Sequence, residues 1–125
     1  MAFPQVIATN TTAISSASTT HNIDMPSSVP EGALLIVCIA YSALATPSTP
    51  SGWTELEESG VAALYAKKAD GTEGGTIVDF GTGSSCTCAA IAHCITGWGG
   101  TLSTDVDTSN KRSRSKTNTL LYFHC

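Results

Sequence analysis

The hydrophobic pattern along this chain has a period of two and is broken often. Residues 3–9 read as a first short strand, with Pro4 at its beginning, where a missing N–H costs least. Residues 10–20 are polar and small, and whether they are ordered on their own is left open. Residues 19–25 alternate: His21, Ile23 and Met25 share one face, and Thr20, Asn22 and Asp24 take the other. That alternation predicts a half-buried strand. Two prolines and a glycine between Pro26 and Gly32 then break the chain.

Residues 33–43 are apolar almost throughout and hold Ile36, Val37 and Ile39. Periodicity alone does not separate a buried strand from a buried helix here, but the β-branched content and flanking breakers favour a strand covered on both faces. A proline-stiffened loop follows over 45–52, then a short strand over 53–57. Glu58, Ser59 and Gly60 turn the chain into a strand over 61–68, where Val61, Ala63, Tyr65 and Lys67 share a face. Residues 69–75 (Ala-Asp-Gly-Thr-Glu-Gly-Gly) are the clearest turn. Strands over 76–80 and 86–96 are joined by a flexible link at 81–85, and Gly97, Trp98, Gly99 and Gly100 end the second. No helix of three turns with a cap and a stripe is visible. Seven to nine short strands with frequent turns predict an all-β, antiparallel β-sandwich of jelly-roll type. A β-sandwich domain over 1–109 and a basic arm or terminal strand over 110–125 are the expected units.

Composition sharpens this picture. With 125 residues the chain is the size of one domain. Only 13% of residues are charged, about half the usual share, which argues against a Lys/Glu-rich surface helix or coiled coil. The longest apolar run falls far short of the ~20 residues of a membrane-spanning helix, and the N-terminus lacks a secretory pattern. Residues 1–110 hold ten acids against Lys67 and Lys68. Lys111, Arg112, Arg114 and Lys116 then crowd into six residues. An acidic body is repelled by nucleic acid. The basic run is either a solvated stretch or the contact with a polyanion or an acidic protein surface.

Five cysteines, an odd number, point to reduced thiols in a cytoplasmic setting. Cys86, Cys88 and Cys94 have one parity and His93 the other, so a zinc site is disfavoured and core packing expected. Asp70, Glu73 and Asp79, or Glu55, Glu57 and Glu58, are carboxylate groups open to solvation, a calcium site or catalysis, and their place in turns and on strand exteriors favours solvation. No catalytic, cofactor or metal residue is assigned. Trp53 and Trp98 each follow a glycine, the placement of a core cap or of a partner-binding or sugar-stacking anchor.

Several stretches together resemble small structural proteins of bacteriophages and prophages. They are His21-x-Ile23-x-Met25-Pro26, Gly32-x-Leu34-Leu35-Ile36-Val37, Pro50-x-Gly52-Trp53-Thr54-x-Leu56, Leu64-Tyr65-x-Lys67-x-Ala69-Asp70-Gly71-x-Glu73-Gly74 and Ala92 with Trp98. The resemblance implies a non-enzymatic virion component made in the host bacterial cytoplasm. Its expected role is a capsid decoration (cement) protein on the major capsid protein, or else a receptor- or glycan-binding tail module. A homo-oligomer, with a trimer favoured, is expected, and Lys111, Arg112, Arg114, Lys116, Trp53 and Trp98 are its candidate partner-binding residues.

Overall fold

The computed structural model describes residues 3–99, 106–107 and 121–122. The described residues are all β and include no helix. Seven strands lie in two antiparallel sheets: β1 (Gln5–Ser18), β2 (Asn22–Asp24), β3 (Leu34–Tyr41), β4 (Thr54–Glu58), β5 (Ala62–Lys68), β6 (Ile77–Asp79) and β7 (Cys86–Thr96). Five form one sheet in the order β1-β7-β3-β5-β4, and β2 pairs with β6 in the other. A parallel bridge of two residues each joins β8 (Val106–Asp107) to β9 (Leu121–Tyr122).

The apolar run over 33–43 is a strand, the reading its β-branched residues favoured. β3 lies at the centre of the large sheet, between β7 and β5, and is buried along both faces except at Ala40. Its odd residues Leu35, Val37, Ile39 and Tyr41 enter the larger core with Ala63 and Tyr65 of β5 and the even residues of β7. The β2–β6 ribbon contributes Ile23 and Val78 to the same core. Phe80 follows β6 into its centre, its ring 5.2 Å from Trp53 and 5.0 Å from Tyr65. The even residues Leu34, Ile36 and Cys38 enter a second cluster on the opposite face with Leu64, Ala66, Ile95 and Trp98.

β1 corrects the expected boundaries. The strand does not stop near residue 9; it runs fourteen residues, through most of the polar stretch. Thr, Ser, Ala and Ile there alternate as a strand does. Ala8, Asn10, Thr12 and Ile14 are half-buried, and Thr9, Thr11 and Ala13 are exposed. β-Branched threonine suits the pleat, and the ladder to β7 supplies partners for the backbone.

The turns close one end of the molecule. Met25 N–H donates to the Thr76 carbonyl, Gly75 N–H to Pro26 and Gly32 N–H to Ala69, at 2.8–2.9 Å. The two breaker segments read from the sequence are therefore bonded to each other.

Candidate functional site

Glu73 occupies the turn between β5 and β6. Its Oε2 accepts from Asp70 N–H at 3.1 Å and its Oε1 from Gly71 N–H at 3.1 Å. Lys67, at the end of β5, places Nζ 2.9 Å from Oε2. Glu73 is 5% exposed, so solvation does not describe it. Burial pushes its carboxyl up, but the bond from Lys67 and those from backbone N–H groups outweigh it and hold it below its ordinary value. Asp79 is likewise engaged, accepting from His21 N–H at 2.9 Å. The glutamates of β4 are spread out: Glu55 accepts from the Thr49 hydroxyl and Glu58 from Gly60 N–H. Among the described residues no three His, Cys, Asp or Glu side chains gather where a metal ion would need them. The carboxylates organise turns. The Asp-Gly-x-Glu spacing after a lysine was the available signal for Glu73.

The shared parity of Cys86, Cys88 and Cys94 is realised, and all three thiols are free and buried in the larger core. Burial pushes Cys88 up to about 11, with Cys86 adding to the effect, and raises Cys94. Such thiols stay protonated and unreactive at neutral pH. Cys38 departs from the expectation of reduced cysteines, because it is disulfide-bonded. His93, of opposite parity, has Nδ1 3.0 Å from the Thr9 hydroxyl on the other face, and desolvation lowers its pKa.

His21 comes nearest to a nucleophile's partner. Its Nε2 lies 3.8 Å from Cys86 Sγ, and its ring meets Tyr41 edge-on at 5.7 Å. Nε2 also lies 3.0 Å from the Cys86 carbonyl oxygen. A carbonyl only accepts, so Nε2 carries the proton and cannot take one from the thiol. His21 is fully buried and Cys86 nearly so. Desolvation pushes Tyr65 up to about 12 and Tyr41 higher still, so neither phenol ionises. This group ties β2 to β7.

Trp53 and Trp98 are buried, Trp53 in the larger core against Phe80 and Trp98 in the smaller one beside Ile95. Neither presents an open ring face to a sugar. Lys111, Arg112, Arg114 and Lys116 lie outside the described residues, as does the rest of the proposed unit over 110–125 apart from Leu121 and Tyr122.

Most of the outer face of the large sheet is buried in the second cluster, and what remains accessible there is one end of the face, with the β1 edge beside it. On that face Ala13, Ala89, Ala40 and Ala62 stand in one register row across β1, β7, β3 and β5. Beside them is an apolar hollow of about 270 Å³ lined by Cys38, Ile39, Ala40, Ala89, Ala90 and Ile91. Among the described residues β1 pairs with β7 alone, so alternate residues turn N–H and C=O groups outward, and the Thr11 N–H donates to Asn10 Oδ1 at 3.0 Å. Fourteen uncharged residues make up this edge, whereas β4 at the other carries Glu55, Glu57 and Glu58. Phe3, Val6 and Ile7 are exposed by 50% or more at the β1 end. The length and neutrality of that edge are the feature missed by dividing β1 into a strand and a polar stretch. No family model matches this chain, and neither curated proteins nor solved structures give a match.

Proposed function

We propose that this chain is a non-enzymatic structural protein that works by assembly, as a capsid decoration protein on a bacteriophage shell. The observation that carries the reading is the uncharged edge strand β1 on an otherwise acidic body. Edges of this kind are normally blunted with charge or proline, and an unblunted one serves pairing. The placement of His21, Cys86, Glu73 and Asp79 adds support, because these groups brace the fold. In this reading the β2–β6 ribbon belongs to the second layer of a jelly-roll-like β-sandwich. The protein is made in the bacterial cytoplasm and ends on the virion surface. Its partner is the major capsid protein, and Lys111, Arg112, Arg114 and Lys116 meet acidic groups on it.

Quantitative mass spectrometry of purified particles tests this proposal. Hundreds of copies per particle are expected, and truncation before residue 110 should lower occupancy. A handful of copies at one vertex would instead mark a tail module, and absence from particles would sink the virion role altogether.

A further inference from the structure

We infer that Cys38 is bonded to Cys125, and that this bond straps residues 120–125 across the outer face of the large sheet as a redox-sensitive latch. The inference concerns the chain by itself and stands apart from any role on a capsid. Its first support is the cysteine inventory. The sequence holds five cysteines; Cys38 is disulfide-bonded, whereas Cys86, Cys88 and Cys94 are free. Cys125 is the partner that is left. The three free thiols also stand on the wrong side, in the larger core, while Cys38 belongs to the cluster on the opposite face. Cys38 is 7% exposed on the central strand, where a sulfur borne by a second folded copy has no approach.

Burial of that face is the second support. Leu34, Ile36 and Ala66 are fully buried there, and Leu64 and Ile95 nearly so. The patch runs from Leu34 to Cys38 and over three strands, about 13 by 10 Å. Side chains standing on a sheet do not roof their own face. Among the described residues Trp98 alone joins this cluster from outside the strands, and one indole is too small for the area. The β2–β6 ribbon is engaged with the larger core on the other side. The cover therefore comes from outside the described residues, and Leu120, Leu121, Tyr122 and Phe123 are the most apolar run in that part of the sequence. Tyr122 precedes Cys125 by three residues, so the bond keeps β9 within about 18 Å of Cys38.

Exposure along β3 marks where the strap stops. Leu34 and Ile36 are covered, Cys38 is nearly so, and Ala40 beyond it is open. Cys38 also lines the hollow that begins there beside Ala40 and Ala89. An anchor at that border holds a segment over residues 34–38 and leaves the far end of the face bare. Closing the bond takes two electrons and two protons from the Cys38 and Cys125 thiols. A small disulfide such as oxidised glutathione accepts them and leaves as two thiols. A glutathione-rich cytoplasm keeps the pair open, and an oxidising medium closes it. With the bond open, packing alone holds residues 120–125, and the apolar face beneath them meets water more often.

Peptide mapping of the full chain, equilibrated with oxidised glutathione, should give one linked pair, Cys38 with Cys125, that dithiothreitol separates. Reduction should lower Tm by roughly 10 °C, because the bond closes a long loop. Below the melt, reduction should also raise binding of an apolar dye. Cys125→Ser should match the reduced chain and no longer respond to dithiothreitol. Hydrogen exchange of the unmodified chain needs no variant: peptides over 34–38 and 62–66 should lose protection on reduction. Recovery of Cys38 and Cys125 as thiols from the oxidised chain, a link from Cys38 to another cysteine, or a covalent dimer overturns the bond. A linked pair whose reduction changes neither dye binding nor exchange overturns the strap.

Discussion

Lys67 Nζ lies 2.9 Å from Glu73 Oε2, joining the end of β5 to the turn that leads to β6. Lys67 is 23% exposed and Glu73 only 5%, so water screens the contact weakly. Glu73 also accepts from two backbone N–H groups, which would lose a charged acceptor on substitution. Glu73→Ala should therefore cost roughly 2 kcal/mol, on the order of 5–10 °C in Tm. Glu73→Gln, which keeps acceptor capacity, should cost less. Thermal unfolding of both variants checks the order.

Acid should destabilise the fold in two steps. Desolvation holds the folded-state pKa of His93 below its ordinary value, so the unfolded chain binds the proton more readily. The stability that follows is whole above about pH 6.5 and is lost as pH falls through the folded value. Glu73 is also depressed, so its contribution is whole above about pH 4.3 and fades below that. Denaturant melts at pH 8, 6 and 4 should show both losses, and His93→Gln should remove the first alone.

Phe80 lies between Trp53 and Tyr65, with ring centroids 5.2 and 5.0 Å away. It is fully buried and holds the β6 segment against the large sheet. Phe80→Ala should cost about 3–5 kcal/mol. Phe80→Leu refills most of the volume but loses the aromatic contacts, and should fall between the two. Equilibrium unfolding in urea measures both.

Gly97 has φ +78°, and a Cβ there would meet the Phe3 carbonyl oxygen well inside contact distance. Gly32 has φ +84° with open space around it. Gly32→Ala should show only the conformational cost, about 1 kcal/mol. Gly97→Ala adds a clash with backbone that cannot step aside, so its loss of stability should be clearly larger. Equal losses would show that the N-terminal residues yield easily.

Cys88 and Cys94 combine burial with raised pKa values, and Cys86 is 2% exposed. Alkylation at these three positions should run about 100-fold slower in the folded protein than in denaturant. Peptide mapping after a short iodoacetamide pulse, with and without denaturant, gives the rate at each position. Rapid labelling of Cys86 alone would mean that the His21 contact activates it.

Period-two alternation placed His21, Ile23 and Met25 on one buried face, and the parity of Cys86, Cys88 and Cys94 gave them the same side. Such features are local: the pleat alternates side chains whatever a strand pairs with. The breaker segments at 26–32 and 69–75 were legible for the same reason, because proline and glycine restrict or free their own dihedrals. Partners were not legible. That Lys67 reaches back from β5 to neutralise Glu73, that His21 bonds a carbonyl sixty-five residues away, and that β1 is an edge while β3 is central all depend on which strands meet. A polar, β-branched run such as residues 10–18 has little preference alone, and becomes a strand once β7 offers it hydrogen-bond partners. Local dihedral chemistry thus resided in the sequence itself, whereas contacts between distant residues waited on the packing that brought them together.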